Sequence, residues 1–432
     1  MEKVMNFMQK YFEPIASKVE GNKFISSIKN GMIALISILI IGSFTLIISS
    51  IGNLFPDGTV IKDFFVNYAD ILDLPFNYTY GLLAVYSAIT ISYSHARQIN
   101  APILQSIIAG VMSTLILNTK FVDGNLATGY LDSRGIFVSI VSSLVVVEVL
   151  GLFIRKRITL RFKGLPEMVA STFESIIPLL VVLCGTVLVS IAIQAMTGGL
   201  IVSEFLTQML APAINSLDTP YAVFIIAFLE MLFWFIGLNG YAILIGVVLP
   251  FMTQYLGANA TAYANGEPIP HVFAPNFWDY FMGFTGSGIT GALVLLAIFS
   301  KSKRIKAIGK ASFVPMIFTI SEPVVYGLPI CYNPYLFIPF VFGTPILATI
   351  QWVIFHVGWV RPPIANVGGA PIFLANYLST VDWRAILLAA GVLIIGIVMY
   401  YPFFKMYEKS VLEEEIKEVS KEEQYAELDL DF

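Results

Sequence analysis

Glu322 is the side chain in this sequence best placed to do chemistry. It stands in Thr319-Ile-Ser-Glu322-Pro-Val-Val-Tyr-Gly327-Leu-Pro329, a carboxylate among turn-formers with apolar runs on both sides. An acid at hydrocarbon depth is costly, so by default it faces a cavity and has a task. Pro323, Gly327 and Pro329 cannot share one clean helix, because proline removes a backbone donor and glycine loosens the turn. Broken backbone at that depth is tolerated only where protein or a water-filled cavity satisfies its polar groups. The stretch therefore predicts a membrane binding site. A solvated cytoplasmic loop is the competing reading, and the flanking apolar runs disfavour it.

A second break, Gly237-Leu-Asn239-Gly240, interrupts an apolar run at 219–256 that is too long for one ordinary span. An amide between glycines at mid-membrane needs partners, which makes Asn239 a candidate ligand-binding residue. Carbohydrates are held by carboxylate and amide groups on their hydroxyls and by aromatic faces on the ring, and Glu322, Asn239, Trp234 and Trp359 supply that set. For Trp359 an interfacial belt position is an equal alternative. Ser321, Gly240 and Arg361 complete the candidate substrate-binding set, with Arg361 pairing Glu322, pairing a tail carboxylate, or snorkelling to an interface. Glu148 and Glu174 read as structural, and Glu230, nine residues before Asn239 and so far along the helix from its site, is kept only as a weak candidate. His95 and His271 read as ordinary polar residues near boundaries. Cys184 and Cys331 lie in apolar sequence without metal spacing, so no metal site and no cofactor is expected. No GxxxxGK[ST] motif and no basic patch interleaved with aromatics occurs, which argues against ATP binding of that kind and against nucleic acid.

The elements that must position these residues are membrane helices. Of 432 residues, 57% are hydrophobic and only 12% charged, too little charge to cover a soluble surface. Many runs reach the roughly 20 residues needed to cross a bilayer. The prediction is an all-α polytopic membrane protein with about ten transmembrane helices, two re-entrant hairpins and an outer amphipathic helix. Spans are expected near 31–51, 78–95, 101–118, 135–154 and 176–196, and after an interfacial helix at 201–217, at 219–256 (two spans), 283–300, 334–356 and 384–404. Residues 311–330 and 359–380 read as the hairpins, 257–282 as an outer loop, and 1–29 as a basic amphipathic segment. Arg155-Lys-Arg157 and the cluster from Lys301 to Lys310 mark cytoplasmic ends, which puts both termini inside. The resulting division is 1–198 as a scaffold half, 199–218 as a linker helix, 219–404 as a transport half, and 405–432 as a solvated cytoplasmic tail.

Several motifs together are specific: Ile320-Ser-Glu-Pro-Val-Val-Tyr-Gly-Leu-Pro-Ile330 with Asn333-Pro334, Phe299-Ser-Lys-Ser-Lys303, Asp382-Trp-Arg384, Gly286-Ser-Gly288, Asn265-Gly-Glu-Pro268 and Leu232-Phe-Trp-Phe-Ile-Gly-Leu-Asn-Gly240. On these the chain resembles, over nearly its whole length, the IIC membrane component of the bacterial phosphoenolpyruvate:sugar phosphotransferase system, lactose/cellobiose/diacetylchitobiose group. The resemblance implies a homodimer formed through the first half and a sugar held in the second. It also implies a cytoplasmic IIB partner whose phosphocysteine phosphorylates the sugar, so that transferase activity exists only with that partner. The family's binding glutamate falls on Glu322, which would orient the reacting hydroxyl, with assistance as a base a further catalytic role. Its pocket tryptophans fall on Trp234 and on Trp359. Asn239 stands where the family usually has histidine, and Val360 and Arg361 where it has two threonines. The implied cargo is a disaccharide or oligosaccharide, β-linked by family, carried across the bacterial cell membrane. Two other classes compete: a proton- or sodium-coupled secondary transporter using Glu322 as coupling acid, and a membrane receptor without transport.

Overall fold

The computed structural model describes residues 21–50, 52, 55–56, 58–122, 124–160 and 173–428. Most of the expected amphipathic segment at 1–29, and Arg161 and Lys163, lie outside the described residues.

The first half is a helical layer: α1 (Lys23–Ala34), α2 (Ile36–Ser50), α3 (Leu83–Ile99), α4 (Ile103–Asn118), α5 (Ile136–Arg155) and α6 (Ile176–Thr197). Three short helices fill 60–79, and beyond α4 two short strands, Lys120–Val122 and Asn125–Ala127, pair antiparallel. Buried serines let α3, α4 and α5 approach closely, as small residues do between membrane helices. Ser113 and Thr186 share a hydrogen bond at 3.0 Å, and Thr114 and Ser142 one at 3.3 Å. Glu148 pairs with Lys23 and lies 3.3 Å from His95 Nε2 and 3.5 Å from Arg155, so its role here is structural.

The second half opens with α7 (Val202–Leu217) and α8 (Pro220–Phe235), bent by 71° at Asp218. Asp218 fixes that bend by accepting from Val272 N–H (3.0 Å), Phe273 N–H (2.9 Å) and Trp352 Nε1–H (2.8 Å). The chain then continues through α9 (Gly240–Ala264), α10 (Thr290–Ile298), α11 (Lys303–Ile317), α12 (Glu322–Gly327), α13 (Thr344–His356), α14 (Ile372–Thr380) and α15 (Arg384–Leu428). By length and composition six helices can cross a bilayer, or seven with the bent pair α7–α8. Among the described residues that is fewer than the expected count, because the expected spans at 78–95, 101–118 and 283–300 are carried by shorter helices, α3 of 17 residues, α4 of 16 and α10 of nine.

Three expectations are corrected. Residues 272–282 are not an outer loop, since Phe273, Phe277, Trp278 and Phe281 are buried and stack in the core. Burying four aromatic side chains outweighs the loop signal of the nearby prolines. The first hairpin begins earlier than expected, with the basic cluster forming the start of α11. The tail is not simply solvated: α15 runs 45 residues without interruption, and Glu408 accepts from Ser300 Oγ (2.5 Å) and Lys301 N–H (2.7 Å). Glu415 accepts likewise from Ser302 Oγ (2.7 Å) and Arg304 N–H (3.0 Å), so two carboxylates of the last helix cap the α10–α11 connector.

The second hairpin is irregular from 357 to 371 and folds back on α14, where Ile364 N–H donates to Ser379 O (2.7 Å). Asp382 closes it by accepting from Arg361 N–H and Arg384 N–H (3.0 Å each) and pairing with Arg384 Nη2 at 2.7 Å. Burial alone would raise the Asp382 carboxyl, but Arg384 and these two amides outweigh it and hold the group below the ordinary value of 3.8. A depressed carboxylate contributes stability that is present above its unfolded pKa and lost as the pH falls through the folded one. Asp382→Asn is therefore expected to lower the melting temperature of the purified protein by a constant amount between about pH 5 and 8. The gap to wild type should close only as the pH falls below 3.8.

Candidate functional site

The break in the first apolar run falls at 236–239, with Gly237 at φ +82° and α9 restarting at Gly240. The turn folds the start of α9 against the middle of α8. A Cβ on Gly240 would lie 2.2 Å from the Glu230 carbonyl, so only glycine allows this approach. Asn239 caps α9 by accepting from Ala242 N–H at 2.9 Å, which leaves its amide N–H groups for the cavity. Gly286 plays the corresponding part on the opposite wall. It sits at φ +99°, and a Cβ there would lie 2.6 Å from that of Ser321. The Gly286 turn is thereby pressed against the hairpin that carries Glu322.

These approaches enclose a cavity of about 310 Å³ lined by Glu230, Trp234, Asn239, Ser287, Ser321 and Glu322, and further by Tyr241, Trp278, Asp279, Tyr280, Thr319, Gly283, Gly286, Gly368 and Gly369. Glu230 is its best-ordered acid: Oε2 accepts from Trp278 Nε1–H and Oε1 from Ser287 Oγ–H, both at 2.8 Å. Trp278 packs edge-on to Tyr241 with ring centroids 5.4 Å apart, and the Tyr241 hydroxyl stands beside Asp279. Trp278 and Asp279 are carried by a π-helical turn, Trp278–Met282, which frees backbone carbonyls. Buried amides take them up: Asn376 Nδ2 donates to Tyr280 O (2.8 Å) and Gln351 Nε2 to Phe281 O (3.0 Å). Glu322 opens α12 and is exposed to the cavity, with Pro323 beside it in the first turn of that helix.

Of the sequence candidates, the cavity brings together Glu322, Ser321, Asn239 and Trp234, and Gly240 forms the turn behind them. Trp359 and Arg361 are not among its lining residues. Trp359 is 69% exposed on the outer surface of the second hairpin. Arg361 bonds Val381 O at 3.1 Å and stacks over the Tyr263 ring at 5.0 Å, so it fastens the hairpin instead of pairing with Glu322. The hairpin reaches the cavity through Gly368 and Gly369. Glu230 is only a weak candidate when distance to Asn239 is counted along an unbroken helix, whereas the helix doubles back and brings the two together. The signal available was its spacing from Trp234, one helical turn on the same face. Asp279, Trp278 and Ser287 were missed because their segments read as an outer loop and a glycine turn.

Glu230→Leu should leave the Trp278 and Ser287 donors buried without an acceptor, at about 1–3 kcal/mol each. A lowered melting temperature with Glu230→Gln intermediate would be the expected result. A Glu230→Leu protein as stable as wild type would show that these bonds do not hold the wall together.

Comparison with known proteins agrees with this architecture. Residues 29–344 match the family described as "Phosphotransferase system, EIIC". The lactose-specific EIICB component of Lacticaseibacillus casei is 29% identical over 96% of this chain and 72% of its own length. The lichenan permease IIC component of Bacillus subtilis (strain 168) is also 29% identical, over 96% of each chain. The crystal structure of ChbC, the IIC component of an N,N'-diacetylchitobiose-specific phosphotransferase system, superposes with a TM-score of 0.86 at 24% identity, covering 95% of this chain and 99% of that one. With its polytopic helices, two hairpins and matching motifs, this chain belongs to the phosphotransferase system EIIC family of multi-pass membrane proteins.

Proposed function

We propose that this chain is a sugar permease that binds a disaccharide or short oligosaccharide, β-linked as in its relatives, and presents it to a cytoplasmic IIB partner for phosphorylation. The observation that carries this reading is the cavity itself. It unites carboxylates, an amide and two indoles where the broken helix and both hairpins meet. Its volume of about 310 Å³ is near the lower end of small-molecule sites, roughly 300–1,000 Å³. Glu322 and Asn239 supply hydroxyl-binding groups, and Trp234 and Trp278 supply ring faces. Glu322, the most accessible acid, orients the hydroxyl that reacts. Relatives named as EIICB components support the pairing with a IIB protein.

The membrane orientation and assembly belong to the same proposal. Basic residues from Lys301 to Lys310 and at Arg155-Lys-Arg157 support a cytoplasmic position for those ends and for both termini. A homodimer through the first half fits the exposed apolar side of α6, where Leu180, Leu188 and Ile191 stand beside an apolar groove shared with α4, α5 and α7.

Uptake of labelled lactose, cellobiose and N,N'-diacetylchitobiose, with and without the IIB partner, tests the proposal. Phosphosugar formed only with the partner is the expected product. Free sugar accumulating without it, and collapsing with an uncoupler, would replace the reading with a cation-coupled transporter. Glu322→Gln keeps the side-chain shape but loses charge-assisted bonds of about 1.5–3 kcal/mol each, roughly ten- to hundred-fold in Kd. Trp359→Ala is expected to bind sugar as wild type does, and a comparable loss there would restore that tryptophan to the site.

A further inference from the structure

We propose that the cleft between α1, α3 and α4 binds one anionic phospholipid, its phosphate on Arg97 and an acyl chain along Ala34, Ile89 and Ile107. The cleft holds about 520 Å³ and shares no lining residue with the sugar cavity, so the two sites stand or fall separately.

The cleft changes from polar to apolar with depth. Arg97 and Gln98 stand in the last turn of α3, and Ile89 lies eight residues deeper, about 12 Å along the axis, with Tyr93 and Thr90 between. On α1, Asn30 precedes Ala34 by one turn in the same inward direction. Ile107 supplies the floor from α4, where the neighbouring Ile103, Leu104 and Ile108 are also exposed. Two contacts fix the level of the open end: Lys23 pairs with Glu148, and Ile99 packs against Gly151, both towards the end of α5. Arg155-Lys-Arg157 follows at once, so the cleft opens at headgroup level on the side proposed to be cytoplasmic.

Arg97 carries the charge of the lining, and among the described residues no carboxylate lines the cleft to meet it. At the same end Lys23 and Arg155 share the Glu148 carboxylate. Arg97 instead bonds the Tyr93 hydroxyl, Nη1 to Oη at 3.2 Å, with its guanidinium 5.8 Å from the centre of that ring. A guanidinium carries more N–H donors than one phenol uses, in a planar fork that fits a phosphate. A free anion would leave the apolar floor empty, and an uncharged lipid would leave the fork unused. An acidic phospholipid satisfies both, as in other basic pockets between membrane helices. The place beside α1 gives such a lipid a consequence, because α1 touches both halves of the chain. A Cβ on Gly31 would lie 2.6 Å from Ile91 of α3, and one on Gly246 of α9 would lie 3.0 Å from Ile25. A lipid wedged against α1 and α3 therefore braces the contact between the two halves.

The test is lipid retention by the purified full-length protein in detergent, counted by native mass spectrometry. Dioleoylphosphatidylglycerol and dioleoylphosphatidylcholine compete for the protein, with inorganic phosphate as a separate arm. Wild type is expected to keep phosphatidylglycerol about five- to tenfold in preference to phosphatidylcholine. Arg97→Gln should bring that preference to within about twofold, and Arg97→Lys should fall between the two. Arg157→Gln, at the same end but outside the cleft, should leave it unchanged. Ile107→Trp fills the floor and should lower retention of both lipids. Equal retention of the two lipids by wild type, equal effects of Arg97→Gln and Arg157→Gln, or displacement of the lipid by millimolar phosphate overturns the site. If Ile107→Trp turns a dimer into a monomer and leaves lipid retention unmoved, a second copy covers the cleft and the lipid site falls. Should a variant not fold, the wild-type competition and the phosphate arm still decide. None of these outcomes touches the sugar reading.

Discussion

Backbone that leaves the helix inside a bilayer must find its hydrogen-bond partners within the protein, since hydrocarbon offers none. Everything distinctive about the second half follows from meeting that demand. Several of its irregular segments are held by buried polar side chains. Gln351 and Asn376 bind the carbonyls freed by the π-helical turn. Asn259 on α9 donates to both His271 O (2.7 Å) and Pro363 O (2.8 Å), tying the segment before that turn to the second hairpin. Asp218 and Asp382 do the same for the α7–α8 bend and the hairpin base. Ser43 Oγ of α2 accepts from Asn366 N–H at 2.7 Å, so even the hairpin tip is fastened to the first half.

These fasteners leave the cavity as the place where polar groups remain unspent. Glycines at 240 and 286 permit backbone approaches that no larger residue would allow, and the approaches bring acids from separate segments to one wall. A buried carboxyl group is expensive, and Glu230, the fully buried one of the three acids, is tolerable because Trp278 and Ser287 both donate to it. The arrangement suits a ligand with many hydroxyl groups, which satisfies several such acceptors at once. The site also lies between two hydrophobic clusters, one containing Trp278 and Tyr280 and the other Trp234 and Val324. Any relative movement of those clusters would open or close the cavity between them.

The last helix joins the same economy. Glu408 and Glu415 hold the α10–α11 connector by its serines and backbone amides, and α11 leads directly to Thr319, Ser321 and Glu322. A charged segment that composition marks as solvent-facing is thus mechanically continuous with the site.

The sequence alone determined the fold class, the main breaks and one of the acids that line the cavity. Hydrophobic run length fixes which segments cross a bilayer, and proline, glycine and a carboxylate in apolar surroundings mark where the backbone must break for a purpose. That logic reached Glu322 and Asn239; the resemblance of the motifs around them to a known family added Trp234 and the family itself. Only the tertiary structure decided which residues face one another. Glu230 and Asn239 are distant along a straight helix and adjacent across a folded one. Asp279 is a loop residue by its neighbours and a cavity residue by the burial of Phe277, Trp278 and Phe281. Trp359 has the chemistry of a sugar platform, yet the hairpin turns it outward and points two glycines inward. Local composition fixes where a chain turns; the direction in which it turns is set by long-range packing that no local window contains.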